Sequence, residues 1–306
     1  MILSKRTITL DINSTAIRLL MTKGKRVERW ASASLEPGLV EGGLISDPPA
    51  LGNRVKQLME FSKIRGKKVI ASLSGLYSVS RILNVPKLAE QLTQQAVLQA
   101  AKEIMPVPLE ELYLKWWVVA EDETEHQALI LGMPRNLVDA EMQALKSVGI
   151  KPYDLRLKGM ALMRMVDWQQ ALIVNMEPDS LDIVLVVDGI PQIMRTIAQQ
   201  QNIPTEDWVE HLVQNLEQTT YFYDSRHPQS PLNPAAPLFL AGQLAENLDI
   251  VEMVQAKTSY PITPLAMPLE YPSNLPVPQY AVNIGLALQR ISIPERIEGE
   301  QQSAQA

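Results

Sequence analysis

The sequence predicts an α/β protein of two duplicated lobes with an inserted α+β subdomain. Two segments, residues 7–20 and 171–185, repeat one design about 164 positions apart. Each reads as an apolar strand, a small polar turn carrying Asp or Asn, and a second apolar strand that runs to a glycine turn. Predicted strands and helices alternate along the rest of the chain. A duplicated hairpin implies two similar halves that face each other across a cleft.

The composition is sufficient for large hydrophobic cores and argues against several classes of function. The chain has 306 residues, 46% of them hydrophobic, a net charge of −6 and a pI near 5.3. This acidic balance, without a basic stripe interleaved with aromatic residues, argues against nucleic acid as a partner. Cysteine is absent and the three histidines lack metal-ligand spacing, which argues against disulfides, thiol chemistry and a zinc site. No apolar run approaches about 18 residues and no signal-peptide pattern opens the chain, so we expect a cytoplasmic protein without direct membrane insertion.

The first lobe is predicted over residues 1–75 together with 159–170. Residues 30–35 alternate weakly and are expected to add a third strand to the first hairpin. A helix should follow, because Asp47 can cap it, Pro48 suits its first position and Gly66 can stop it. Residues 68–75 then form a strand that ends in glycine.

The inserted subdomain is predicted over residues 76–158. Its elements are a strand over 77–86, a helix over 87–105 that Pro106 and Pro108 end, strands over 112–120 and 127–133, a helix over 136–147 and an edge strand over 150–157.

The second lobe is predicted over residues 171–290. After its hairpin, a long helix begins near Pro204 with acidic residues in its first turn, which favours the helix dipole. A buried strand over 237–243, a helix over 244–254, a proline-rich segment over 261–278 and a closing helix over 279–289 follow. The polar tail, 291–306, is expected to be disordered.

Five pieces of the sequence, in order, resemble the PilM family of type IV pilus assembly proteins, which are relatives of FtsA. They are residues 69–75, Arg81 with Pro86, 104–106, 144–152 with 161–162, and 280–288. The resemblance covers about residues 7–290. It implies an actin-like fold (ribonuclease H-like and duplicated), an inserted subdomain like subdomain 1C of FtsA, and a nucleotide cleft between the lobes. It also implies a cytoplasmic protein that binds the N-terminal cytoplasmic peptide of a PilN-like bitopic inner-membrane protein, which recruits it to the inner face of the cytoplasmic membrane.

The resemblance also assigns an inherited nucleotide site, with substitutions in its first loop. The family pattern there is Asp-x-Gly-Ser-x-Ser-x-Lys; Asp11 and Ser14 are kept, Asn13 replaces the glycine and Arg18 replaces the lysine. Asn13 tolerates positive φ better than most residues, so we expect the turn to persist. Asp11 is the one candidate ligand for Mg²⁺. The residues assigned to the cleft are Asp11, Asn13, Ser14, Thr15, Arg18, Asn175, Gly242 and Gln243.

The second loop departs further from the family pattern. Asn175 stands where the family has an aspartate, Glu177 adds a carboxylate where a phosphate would approach, and Pro178 removes a backbone donor. Like charges about 4 Å apart cost on the order of 4 kcal/mol at an effective dielectric of about 20. Of the run of glycines that the family has on the adenosine side of the cleft, only Gly242 is present here. Asn215 replaces the acidic residue expected near the ribose. We therefore expect no catalytic residue and no required cofactor, with ATP and Mg²⁺ bound weakly or not at all, and no meaningful hydrolysis.

Several alternatives stay open at this point. Arg18 is as suited to pair with Asp182 across the cleft as to hold a phosphate. The chain can also be a working actin-like ATPase or small-molecule kinase, although Asn175 argues against the paired carboxylates that this requires. A third reading is a GspL-like cytoplasmic domain of type II secretion, a class that usually continues into a transmembrane helix. Self-association is left open.

Overall fold

The computed structural model describes residues 6–88, 90–200, 203–288 and 298–300. Contacts divide the chain into two compact units. The first unit combines residues 1–76 with 140–290, and the second combines 77–139 with 291–306. No helix within the described ranges has both the length and the apolar character needed to cross a bilayer.

The described part of the chain contains fifteen strands. They are β1 (Arg6–Ile12), β2 (Ala16–Lys23), β3 (Arg26–Ser34), β4 (Val40–Glu41), β5 (Leu44–Ile45), β6 (Lys68–Leu73), β7 (Val79–Pro86), β8 (Leu112–Glu121), β9 (Glu125–Pro134), β10 (Lys151–Leu157), β11 (Ala171–Glu177), β12 (Ser180–Val187), β13 (Ile190–Ala198), β14 (Leu238–Ala241) and β15 (Glu298–Glu300).

Seven α-helices accompany these strands in the described ranges. They are α1 (Pro48–Phe61), α2 (Glu90–Ile104), α3 (Arg135–Ser147), α4 (Lys158–Val166), α5 (Thr205–Arg226), α6 (Leu248–Lys257) and α7 (Ala281–Ala287). The predicted cap of α1 is present, since the Asp47 carboxylate accepts the backbone N–H of Ala50 at 2.9 Å.

The first unit contains two sheets built on one plan. The first sheet has the strand order β10-β6-β1-β2-β3 and the second has β13-β12-β11-β14. In each sheet the leading strand of a hairpin pairs antiparallel with its partner and parallel with a later strand, β6 or β14. The duplication predicted from the two hairpins is therefore present in the topology.

The register of the two hairpins matches residue for residue. Asp11 lies opposite Arg18 in the first hairpin, and Asn175 lies opposite Asp182 in the second. Each pair is buried. Equivalent positions of the two hairpins thus carry the polar side chains of the cleft, while apolar residues above and below them fill the two cores.

The closing helix α7 packs closely against α4 in the same unit. A Cβ atom built on Gly285 would lie 1.9 Å from the carbonyl oxygen of Ala161, so only glycine fits at this crossing. The side-chain amide of Asn283 donates to the carbonyl oxygens of Thr9 at 3.3 Å and Arg18 at 3.1 Å. This buried asparagine fixes α7 beneath the first hairpin.

The second unit is an α+β body with its own sheet and core. Its strand order is β15-β8-β9-β7, with every neighbouring pair antiparallel. Helix α2 covers the sheet through apolar residues such as Val97 and Ala101, which pack with Trp116 and Ile130. The separate core explains why this segment forms a unit of its own.

The end of the inserted unit differs from the predicted boundary at residue 158. The inserted segment of the second unit ends at Asp139, and Ala144 and Leu145 of α3 pack in the core of the first unit. Strand β10 is an edge strand as predicted, but it pairs with β6 in the first sheet rather than with the inserted one. Consecutive position along the chain suggested a single subdomain, whereas parallel pairing returns this strand to the first sheet.

Two further differences concern α4 and the tail. Residues 158–166 carry no cap or stop signal in the sequence, yet they form α4, whose residues are almost all buried.

The tail expected to be disordered, 291–306, lies outside the described residues apart from 298–300, which pair with β8.

Candidate functional site

The polar centre of the first unit is a bidentate ion pair between the two hairpins. Arg18 on β2 donates through Nη1 to Glu177 Oε1 at 2.7 Å and through Nη2 to Glu177 Oε2 at 2.8 Å. Both side chains are at most 1% exposed. Burial opposes ionisation of both groups, but the Glu177 carboxylate holds the pKa of Arg18 above its usual value. The pair joins the turn end of the second hairpin to the strand of the first.

Asp11 lies at the centre of the first-hairpin contacts. Its Oδ1 accepts the hydroxyl of Ser72 at 2.6 Å, and its Oδ2 lies 3.4 Å from Arg18 Nη1 and accepts Asn13 Nδ2 at 3.2 Å. Burial alone would raise the pKa of Asp11, but the cations of Lys158 and Arg18 lower it below the usual range. Asp11 is therefore ionised, and both carboxylate oxygens already have partners.

Lys158, at the start of α4, brings a second cation into the cleft. Its ammonium lies 3.2 Å from Asp11 Oδ1, donates to the carbonyl of Ile12 at 2.8 Å and donates to Asn13 Oδ1. Burial opposes its charge, but Asp11 and Asp182 raise its pKa. The ammonium thus neutralises the carboxylate that the resemblance assigns to Mg²⁺.

The second hairpin forms a smaller polar group. Asn175 donates to Asp182 Oδ2 at 2.9 Å, and the hydroxyl of Thr196 donates to Asp182 Oδ1 at 2.5 Å. Burial raises the pKa of Asp182. The alternative pairing of Arg18 with Asp182 is wrong, because the Arg18 guanidinium is directed to Glu177 and Asp11 instead.

The remaining predicted cleft residues have varied surroundings. Ser14 lines a cavity of about 280 Å³ at the turn end of the hairpins, together with Lys158 and Thr196. The Thr15 hydroxyl is buried without a partner. Gly242 has φ of +90°, and a Cβ atom there would lie 2.4 Å from the carbonyl oxygen of Met176. Gln243 accepts from Arg18 Nη2 at 3.3 Å.

The first turn closes without left-handed backbone at Asn13. Among the described non-glycine residues, positive φ occurs at Lys63, Tyr77, Asp167 and Asp188. The tolerance of asparagine for positive φ is therefore not what preserves the turn. Instead its side chain bridges Asp11 and Lys158.

Two buried residues of this site were missed from the sequence, Lys158 and Glu141. A lysine between an edge strand and an apolar segment gives no signal, because burial of its ammonium depends on carboxylates from two hairpins. Glu141 lies on α3, is 6% exposed and has one carboxylate oxygen without a partner. Burial, reinforced by Asp11 and only partly offset by Lys158, raises the pKa of Glu141 to about 8.

Comparison with known proteins decides the family. A family model described as "Type IV pilus assembly protein PilM" matches residues 9–203, which is more than half of the chain. The chain belongs to the PilM family. The predicted membership is thereby confirmed, and with it a role in type IV pilus assembly at the level of the family. No curated protein matches the chain.

Solved structures show that this PilM-family chain has the actin-like fold, as predicted. A "PilM-PilN type IV pilus biogenesis complex" is 19% identical, with a TM-score of 0.76 over 93% of this chain and 98% of that one. The ethanolamine utilization protein EutJ from Carboxydothermus hydrogenoformans is 11% identical, with a TM-score of 0.57 over 93% and 90%. The cytoplasmic domain of EpsL from Vibrio cholerae is 13% identical, with a TM-score of 0.53 over 94% and 97%.

Proposed function

We propose that this PilM-family protein is a non-catalytic scaffold whose lobes are held together by ion pairs instead of a nucleotide. The observation that carries the proposal is the bidentate Arg18–Glu177 pair, which joins the two hairpins at the place where the family has a phosphate site. In a phosphate site the cation must be free to face the ligand. Here its two terminal nitrogens already have acceptors.

The position that Mg²⁺ would take beside Asp11 is likewise occupied by side chains of the protein. Asp11 accepts from Ser72, Asn13 and Arg18, and Lys158 lies against the oxygen that a metal would bind. Within the described residues, no group of three or more side chains has the arrangement of a metal site. A divalent ion would have to displace a buried ammonium, which would leave that charge uncompensated. The residues present therefore do not fit Mg²⁺ with a polyphosphate.

The second loop supports the same proposal. Glu177 is buried and ion-paired, and Pro178 offers no backbone N–H to a phosphate. Asn215, expected near the ribose, donates its amide to the carbonyl of His211 on its own helix. In this proposal ATP and Mg²⁺ are not required, and the working ATPase is a less favoured alternative.

A thermal-shift titration with Mg-ATP tests the scaffold proposal. A ligand present at 100 times its Kd stabilises a protein by about 2.7 kcal/mol, which is several degrees in Tm. We expect no shift at millimolar Mg-ATP and no phosphate release above a blank without protein. Micromolar binding, or hydrolysis that Asp11→Ala abolishes, would overturn the proposal in favour of the ATPase.

The partner in this proposal is the N-terminal cytoplasmic peptide of a PilN-like, membrane-anchored protein. The support is the fold shared with the PilM of a PilM–PilN complex over nearly the whole chain. Such a partner would recruit a cytoplasmic protein to the inner face of the membrane. The GspL-like alternative is supported only by the fold that the chain shares with EpsL.

A pull-down with synthetic N-terminal peptides of candidate membrane partners tests this step. The matched control is a peptide of the same composition in scrambled order. We expect retention of the protein by one native peptide and not by its scrambled form. If no native peptide retains the protein, the proposed partner is wrong. The proposal that the cleft does not use ATP would be unaffected.

A further inference from the structure

The first sheet carries a row of cations along one of its two edges that are formed by strand ends, and not along an edge strand. Strands β1, β6 and β10 are parallel and begin at this edge, while β2 ends and β3 begins there. Each of the five strands places a lysine or arginine at it. In strand order these residues are Lys151, Lys68, Arg6, Lys23 and Arg26.

The loops and helix ends beside this row add further cations. Helices α1 and α3 both end at the same edge, because each leads into the start of a parallel strand there. All of these side chains are exposed. We call the following set the basic edge: Arg6, Lys23, Lys25, Arg26, Arg29, Lys56, Lys63, Arg65, Lys67, Lys68, Lys146 and Lys151.

The basic edge contrasts with the acidic balance of the whole chain, whose net charge is −6. The acidic residues beside it include Glu28, which pairs with Arg6 at 3.5 Å, and Glu60 and Glu270. The sequence lacks a basic stripe because these cations come from separate segments, and the sheet assembles them. A chain without a basic stripe in its sequence can therefore still present a basic surface once it is folded.

Local structure does not account for this concentration of charge. A helix C-terminus attracts cations only within its last turn, which explains Lys146 on α3 but none on α1. Lysines directly opposite each other, such as Lys68 and Lys151, repel and weaken the sheet. A surface that keeps such repulsion is expected to face an anionic partner.

We propose that the basic edge docks on the headgroups of an anionic phospholipid bilayer. Five strands span about 19 Å, so the row is broad and not a narrow groove. The side chain of Phe61 at the end of α1 is 85% exposed, and Tyr153, whose ring centre lies 5.9 Å from Lys68 Nζ, is 63% exposed. Aromatic side chains next to cations are suited to the interface between headgroups and acyl chains.

A hollow within the basic edge can receive a headgroup phosphate. It has a volume of about 460 Å³, and its lining includes the cations of Lys56, Lys63, Arg65 and Lys67 together with the carboxylate of Glu60. Lysine outnumbers arginine along the basic edge, which suits diffuse attraction to a charged surface better than bidentate recognition of a single ligand.

Co-sedimentation of the full chain with vesicles tests this proposal without any protein partner. We expect binding to phosphatidylcholine vesicles that contain phosphatidylglycerol and none to pure phosphatidylcholine. Binding should fall steeply between about 0.1 and 1 M salt, as the Debye length shrinks from about 10 to 3 Å. Each cation near such a surface strengthens binding about fivefold.

Matched charge reversals locate the surface. The variant Lys63→Glu with Lys67→Glu should bind anionic vesicles at least about 25-fold more weakly. The control, Arg81→Glu with Lys102→Glu in the second unit, makes the same change of net charge on exposed residues and should bind like the parent. The Tm of both variants should remain close to that of the parent.

Four outcomes would overturn the proposal. They are equal losses in the two variants, equal binding to neutral vesicles, release by inorganic phosphate at constant ionic strength, and preference for single-stranded RNA over anionic vesicles at the same salt. The proposed function would survive each of them, because it is tested with nucleotide and with peptide.

Discussion

At the scale of single residues, the cleft of this protein uses its own side chains in place of a ligand. Glu177 stands at the position equivalent to Asn13 of the first hairpin, 164 residues earlier. A carboxylate there gives Arg18 a partner from the other sheet, and Lys158 gives Asp11 one. Removing one member of a buried pair leaves an unpaired charge, which typically costs 3–5 kcal/mol.

The change Glu177→Gln should therefore lower the free energy of unfolding by about 3 kcal/mol. The double change Arg18→Met with Glu177→Met should recover much of that loss, because it leaves no unpaired charge. Urea denaturation of the single and double variants measures both. The exposed control Glu252→Gln should change the free energy by less than about 0.5 kcal/mol.

If Glu177→Gln proves as stable as the parent, the ion pair contributes nothing to holding the hairpins. If the double variant is less stable than Glu177→Gln, the interior depends on the charges themselves and not on their mutual neutralisation.

Glu141 predicts a pH dependence of stability. Its pKa is about 8 in the folded protein, where burial raises it, and near 4.5 when unfolded. Between these values the folded state binds more protons, so stability should fall as pH rises from about 4.5 to 8, by at most about 1.4 kcal/mol per pH unit. Glu177 and Asp182, whose pKa values are also raised, act in the same direction.

The change Glu141→Gln isolates this contribution. The variant should be more stable than the parent at pH 8, and the gap should narrow toward pH 5. Thermal unfolding in a series of buffers measures the two profiles. Parallel profiles would show that Glu141 is ionised in the folded protein despite its burial.

At the scale of elements, the helices with capping signals were predictable and α4 was not. Asp47 and Pro48 mark the start of α1 as the structure has it. Helix α4 has no side-chain cap and is nearly all buried, so its conformation follows from packing against α7 and β12 and not from local signals. Likewise, the sequence indicated an edge strand at β10 but not the sheet that it joins.

The crossing of α4 and α7 gives a prediction at this scale. The change Gly285→Ala would place a methyl group 1.9 Å from the Ala161 carbonyl oxygen, and the helices would have to separate. We expect a loss of about 3 kcal/mol in the free energy of unfolding. The control Ala287→Ser, on the same helix at a partly exposed position, should lose less than about 0.5 kcal/mol.

A Gly285→Ala variant with unchanged stability would mean that the two helices can move apart without loss. Chemical denaturation of both variants decides the matter.

At the scale of the whole molecule, duplication and insertion were visible in the sequence, but the assembled surfaces were not. The hairpins at a fixed offset predicted two lobes, and apolar patterns predicted an inserted segment. The ion pairs of the cleft and the basic edge each combine residues from distant segments, such as Arg18 with Glu177 and Lys68 with Lys151. Such contacts depend on the order of strands within a sheet and on how the two sheets face each other, and a single sequence contains neither.

The separate cores predict that the first unit folds without the insertion. Replacing residues 77–139 by a short Gly-Ser linker removes the core around Trp116 and leaves both cores of the first unit intact. We expect cooperative thermal unfolding and a circular dichroism spectrum of mixed α/β type. Broad, non-cooperative melting would show that the first unit needs the inserted one to fold.

The hydrogen bond from Asn283 to the Arg18 carbonyl has a consequence for biosynthesis. The two residues are 265 positions apart. At about 5–20 residues per second, a ribosome delivers the asparagine roughly 13–50 seconds after the arginine. Throughout that interval the first hairpin lacks α7, which packs against β1 and β2 in the folded protein. The emerging chain is therefore expected to be a client of chaperones until translation is nearly finished.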